Sequence, residues 1–144
     1  MVYVDTSVLV PLFLHEPASA AVARWYEDEH RNLVCAAWCV PEFASALGIK
    51  QRKGGIDATQ AHGAWTRFER MVAADLHLLP VGTADFQRAA ELVLDAAHGL
   101  RAGDALHLAC AESAGARHIA TLDQVLCRNA QRLEIMPIVL RDKD

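Results

Sequence analysis

Short apolar runs rich in β-branched residues alternate along this chain with longer Ala- and Leu-rich stretches of helical period, and no other feature limits the fold as strongly. Repeated strand–helix units build a parallel sheet with helices on its faces, an α/β architecture. Strands are expected over Val2–Val4, Leu33–Ala36, Leu78–Val81, His118–Ala120 and Met136–Leu140. Helices are expected over Ser7–Leu14, Ala18–Glu29, Pro41–Arg52, Asp57–Ala74, Ala84–Ala97, Asp104–Ser113 and Gln124–Ala130. No repeat, linker or low-complexity segment interrupts the pattern. With 144 residues, 53% of them hydrophobic, residues 1–144 are expected to form a single domain around one core.

In an open parallel sheet, ligands gather outside the carboxyl ends of the strands, where loops and helix N-termini face one crevice. Four acids stand at such places. Asp5 follows the strand VYV and precedes two hydroxyls, Thr6 and Ser7. Glu42 follows Pro41 in CVPEFASAL, in what should be the first turn of a helix. Asp104 enters the apolar run LRAGDALHLA, and Asp123 closes HIATLD after Thr121. Each has a plain structural use, because a short polar side chain before a helix caps it and an acid in the first turn meets the positive end of the dipole. Collected in one crevice, however, four carboxylates repel one another and raise one another's pKa unless a cation sits among them. Oxygen-only donors without His or Cys select Mg²⁺ or Mn²⁺, hard ions that keep some of their waters and favour phosphate-bearing substrates. Metal-assisted phosphodiester hydrolysis suits that set. If the acids cluster in this way, neutralising either Asp5 or Asp104 should raise the stability of the metal-free chain.

Other chemistries lack their parts. HEPAS, residues 15–19, has no second histidine for a zinc protease motif, and no GxxxxGK loop is present for a nucleotide triphosphatase. A phosphate-receiver domain needs a late lysine near its acids, and the only late one is Lys143. The net charge of −4 excludes a broad basic face for nucleic acid, so a phosphate ligand needs a local patch or a metal. Cys35, Cys39, Cys110 and Cys127 form no CxxC pair and are expected to be reduced core thiols. The first apolar stretch, VLVPLFL, is broken by Pro11, is too short to span a bilayer and has no basic leader. A soluble, cytoplasmic protein with no membrane partner is expected.

VDTS near the N-terminus, PEF in the first third, LRAGDALHLA, and ATLD near the C-terminus, in this order and at these separations, resemble the PIN-domain family. The phrase around Asp104 is similar to the VapC-type ribonuclease toxins of bacterial toxin–antitoxin pairs, and the resemblance runs from residue 2 to about residue 140. It implies a PIN-like fold with a central parallel sheet flanked by helices, Mg²⁺- or Mn²⁺-dependent endoribonuclease activity, a homodimer, and a small cognate antitoxin of VapB type. It assigns Asp5, Glu42, Asp104 and Asp123 to the catalytic metal site, with Thr6, Ser7 and Thr121 as supporting hydroxyls. Asp5 and Asp104 are expected to be the most direct ligands. One departure is Leu126, where many relatives carry an aromatic residue. A PIN-type RNA-processing nuclease without an antitoxin, and a non-catalytic metal-binding interaction module, are the competing functions.

His107 lies one turn beyond Asp104, either as a buried helix histidine or as a group that approaches the site or the scissile phosphate. In KQRKGG, Lys50, Arg52 and Lys53 stand at a helix end, as cations that complement the dipole or as RNA contacts. Trp25, Trp38 and Trp65 are expected in the core or at an interface rather than as stacking platforms for bases.

Overall fold

The computed structural model describes residues 1–28 and 32–140. Five strands, β1 (Val2–Val4), β2 (Leu33–Ala36), β3 (Leu76–Leu79), β4 (His118–Ala120) and β5 (Met136–Pro137), form one sheet in the order β3-β2-β1-β4-β5, with every pair parallel. Between them run α1 (Thr6–Phe13), α2 (Ser19–Asp28), α3 (Cys39–Arg52), α4 (Ala58–Ala74), α5 (Thr83–Leu94), α6 (Ala102–Ser113) and α7 (Gln124–Arg132). The chain moves outward from β1 through β2 to β3 and then returns to the other side of β1 for β4. Strand order therefore reverses at the β1–β4 pair, and the carboxyl ends of those two strands open onto a crevice.

Burial follows position. All of β1 and β2 is buried, as strands covered on both faces must be, whereas His77 of edge strand β3 is exposed. Helix α6 packs on α5 and β2 and is buried without a break from Ala105 to Ala111. An amphipathic helix would expose part of that run, so α6 is an internal helix, which explains its evenly apolar sequence. On the other side, Phe43 stacks on Phe68 with ring centroids 4.2 Å apart, and Phe13 and Trp65 meet the same pair. Leu126 is fully buried, so the departure there is one of packing. The four cysteines are unpaired. No helix among the described residues is long and apolar enough to cross a membrane.

The element boundaries differ from expectation where apolar runs allowed two readings. β3 begins and ends two residues earlier than expected, because Leu76–Leu79 takes the register opposite Leu33–Ala36 and Pro80 has no N–H to continue a ladder. β5 stops at Pro137 and does not reach Leu140. Helix α5 ends at Leu94, and a 3-10 turn over Ala96–His98 leads into Gly99, whose φ of 67° suits a residue without a side chain. Both α3 and α6 start two residues before the expected position. Pro41 is therefore the third helical residue, where its missing N–H would have had no helical partner. Arg101, not Asp104, occupies the N-cap of α6. The expected end of the second helix at Glu29, and Lys143, lie outside the described residues.

Candidate active site

Asp5 sits where β1 turns into α1, in the backbone position of an N-cap, but its side chain does not cap. The carboxylate turns across the sheet instead. Its Oδ2 accepts hydrogen bonds from Ser7 Oγ at 2.6 Å and from Thr121 Oγ1 at 2.8 Å. Thr121 follows β4, so its hydroxyl ties the ends of the two central strands together at the point where strand order reverses. Backbone amides complete the arrangement, Leu122 N–H donating to Ser7 Oγ and Asp123 N–H to Thr121 Oγ1. Asp123 does cap: its Oδ1 accepts from Leu126 N–H at 3.0 Å, fixing the start of α7.

Glu42 arrives from the first turn of α3. Its Oε1 accepts from Thr6 Oγ1 at 2.8 Å and from His107 Nε2, and the Trp38 indole also hydrogen-bonds this side chain. Gly103 of α6 borders the same side chains: a Cβ there would lie 3.4 Å from Glu42 Oε2 and 3.5 Å from Trp38 Nε1, in ordinary contact with both. Burial alone would raise the Glu42 pKa, but the hydrogen bonds and charge of His107, with the Thr6 hydroxyl, outweigh it and hold the carboxyl below its ordinary value. His107 is fully buried, with Nε2 also 3.7 Å from Asp5 Oδ1 and Nδ1 2.6 Å from the Tyr3 hydroxyl. Burial disfavours its charged form, yet Glu42 and Asp5 overcome that and raise its pKa.

Asp104, in the first turn of α6, is treated differently. Among the described residues no hydrogen bond or ion pair engages its carboxylate. Partial burial, then the charges of Asp123 and Asp5, push its pKa to about 6. Beyond burial, that shift records, through the contributions of Asp123, Asp5 and Glu42 and against the opposing charge of His107, the convergence of acids from four separate segments. It also corrects one reading of the sequence, since an acid used only to satisfy a helix start would be held by the amides there.

As the side chains stand, no three His, Cys, Asp or Glu residues among those described form a closed cage for an ion. The donors nonetheless fit a hard divalent cation. All are carboxylate oxygens, one carboxylate has no hydrogen bond or ion pair among the described residues, and an ion of this class is commonly held in part through its own waters.

Not every expected contact gathers here. His107 has no surface to offer RNA, and its neighbours are Glu42, Asp5, Thr6 and Tyr3. Lys50, Arg52 and Lys53 stand at the opposite end of α3, about 12 Å or more along the helix from Glu42. Lys50 pairs there with Glu16, and the Arg52 guanidinium folds back over Gly48. Tyr3 and Gly103 belong to the site and were not singled out in the sequence. The signal for Tyr3 was a polar-tipped residue in the middle of a fully buried strand.

The profile of the PIN domain matches residues 2–131. The chain belongs to the PIN-domain family. PIN domains are in general nucleases that use divalent metals, and the central parallel five-stranded sheet flanked by helices is a PIN-like fold. Solved structures agree on the fold. FitAcB from Neisseria gonorrhoeae is 16% identical over 96% of this chain and 97% of that one, with a TM-score of 0.74. FitAB bound to an IR36 DNA fragment is 17% identical over 96% and 94%, with a TM-score of 0.70. PAE2754 from Pyrobaculum aerophilum is 21% identical over 94% and 89%, with a TM-score of 0.66. No curated protein matches the sequence.

Proposed function

We propose that this PIN domain is a Mg²⁺- or Mn²⁺-dependent endoribonuclease and the toxin of a VapC-type toxin–antitoxin pair, held in check by a small VapB-type antitoxin. The observation that carries the catalytic reading is Asp104: a carboxyl whose pKa burial, Asp123 and Asp5 push to about 6, only partly offset by the charge of His107 and with no hydrogen bond or ion pair to it among the described residues. A fold that needed only a helix start would not concentrate negative charge there.

Asp5 and Asp104 would hold the ion most directly, with Glu42 and Asp123 completing the charge or acting through water. The ion, when bound, polarises a phosphoryl oxygen and lowers the pKa of coordinated water. The chain's own residues prepare the place for it. Ser7 and Thr121 fix Asp5 through Oδ2 and leave Oδ1 toward the site, while Thr6 and His107 fix Glu42 through Oε1 and leave Oε2 toward the start of α6. Asp123 spends one oxygen on the cap of α7 and keeps the other.

A protein partner is supported by the surface next to the acids. Trp38 and Gly103 join the pocket to an apolar groove lined by Phe86, Val93, Leu94 and Leu106, in which Leu94 is 82% exposed. Exposed apolar surface of this kind marks interaction sites. The resemblance to VapC-type toxins supports the antitoxin and the homodimer, and the mass of the isolated chain in solution reads the latter.

The test is cleavage of a total RNA pool by the purified protein, with Mg²⁺ or Mn²⁺ against EDTA, beside Asp104→Asn. Metal-dependent cutting that disappears in the variant is the expected result. A wild-type protein that binds the metal and cuts no RNA would overturn the ribonuclease reading. Cutting without growth arrest on expression would favour an RNA-processing nuclease that needs no antitoxin.

A further inference from the structure

Behind the acids runs a string of polar groups that a parallel-sheet core does not ordinarily contain. The Ala36 N–H of β2 donates to the Tyr3 hydroxyl at 3.1 Å, that hydroxyl bonds His107 Nδ1 at 2.6 Å, and His107 Nε2 bonds Glu42 Oε1. Tyr3 and His107 are both fully buried and meet edge to face, their ring centroids 5.7 Å apart. Phenylalanine and leucine would fill the same space without polar atoms to satisfy, and removing matched polar partners from a core can be nearly neutral. The string is therefore not explained by packing. It has one end on the backbone of a central strand and the other on a carboxylate of the acid pocket.

We propose that His107, held in orientation by Tyr3, is the positioning residue for Glu42: it fixes Oε1 so that Oε2 is presented to a divalent cation beside the N-terminus of α6. This rests on the reading of the acids as a cation site. Glu42 is ionised and can only accept, so Nε2 carries a hydrogen toward it whether the imidazole is neutral or charged, and the arrangement needs no particular charge state. Ligating carboxylates are commonly held from behind in this way, and loss of such a partner costs about 10- to 100-fold in metal affinity.

Binding of Mn²⁺ to the metal-free protein, followed by titration calorimetry, tests the assignment without reference to turnover. His107→Leu should weaken Mn²⁺ binding by about tenfold or more. His107→Gln, which keeps a donor for Glu42 and an acceptor for Tyr3, should recover most of that loss, and Tyr3→Phe should fall between the two. The deciding measurement is made in Glu42→Gln. If His107 acts through Glu42, adding His107→Leu there produces no further loss. Unchanged affinity in His107→Leu, or a full loss that persists in the Glu42→Gln background, overturns the proposal and leaves the string a packing feature. Should His107→Leu fail to fold, His107→Gln and Tyr3→Phe carry the same comparison, with wild-type affinity in Tyr3→Phe as the overturning result. Failure of the wild-type chain to bind Mn²⁺ would instead overturn the cation site itself, and this assignment with it.

Discussion

The acid pocket has two halves built on opposite principles. Asp5 and Glu42 are held by the protein, through Ser7 and Thr121 on one and Thr6 and His107 on the other. Asp123 and Asp104 approach from helix starts, and of these Asp123 gives one oxygen to a cap while Asp104 has no hydrogen bond or ion pair among the described residues. The first half is the product of folding alone. In the second, the Asp104 carboxylate carries charge that folding balances only in part, and it is the natural place for something the chain does not supply. A stable fold needs the cap that Asp123 supplies but not the Asp104 carboxylate, so the cost of that charge in the free protein points to use rather than to architecture.

The largest effect expected from this contrast is on cleavage. Asp5→Asn and Asp104→Asn should each reduce metal-dependent RNA cutting by about 100-fold or more, since a direct ligand must cost at least as much as a group that merely holds one. Cleavage assays over a range of Mn²⁺ concentrations check this. Retained activity in either variant would remove that residue from the ion's immediate surroundings.

Stability should separate the two residues that activity does not. The sequence suggested that neutralising either acid would stabilise the metal-free chain, and the structure revises this for Asp5. Its carboxylate is buried and accepts two hydroxyl hydrogen bonds, so Asp5→Asn should lower the stability of the metal-free protein, by about 1–2 kcal/mol. Thermal or denaturant unfolding in EDTA measures it. An increase on Asp5→Asn would mean that repulsion outweighs those hydrogen bonds and that both halves of the pocket are alike.

Most of this contrast could not be read from sequence, although its ingredients could. The strand-to-helix switches that carry Asp5, Glu42, Asp104 and Asp123 stand out because apolar period and polar punctuation are local properties. Strand order is implied by repeated βα units, and the family resemblance adds the site. The supporting contacts are of another kind. Thr121 reaches Asp5 and Tyr3 reaches His107 across more than a hundred residues, and nothing local distinguishes a histidine that holds a carboxylate from one that fills a core. The helix starts at Cys39 and Ala102 were misplaced because Pro41 and Asp104 both resemble first-turn signals, and each is in fact deeper in the first turn. β3 was misplaced because LHLLPV offers two registers that only its pairing with β2 decides.

Asp123 allows its two roles to be taken apart. Asp123→Ala removes cap and charge together and should cost about 1 kcal/mol of stability, whereas Asp123→Asn keeps a capping oxygen and should be nearly neutral in EDTA. Both should impair cleavage if the second oxygen serves the ion. Full activity in Asp123→Asn would reduce Asp123 to a helix cap and the site to three acids.

The smallest effect is the most specific, because it depends on pH. The Asp104 carboxyl has a pKa of about 6 in the folded chain against 3.8 as an ordinary side chain, so the folded state binds its proton more tightly than the unfolded state does. Stability contributed by that proton is fully present below pH 3.8 and is lost as pH rises through about 6. Asp104→Asn cannot ionise and escapes the loss. In EDTA the variant and the wild type should therefore differ little near pH 4, and the variant should become the more stable as pH passes 6. Because Asp104 is only half buried and water screens its neighbours, the final advantage should be modest, about 0.5–1 kcal/mol. Comparing the two proteins pH by pH cancels the titration of groups remote from Asp104, whereas Asp5, Glu42, His107 and Asp123 feel its charge and belong to the difference that is read. Added Mn²⁺ should abolish or reverse the advantage at neutral pH, because a cation that binds only the folded wild-type site stabilises it by mass action. A constant difference across the range would mean that neither burial nor like charges raise the Asp104 pKa, and the two halves of the pocket would then no longer be opposed.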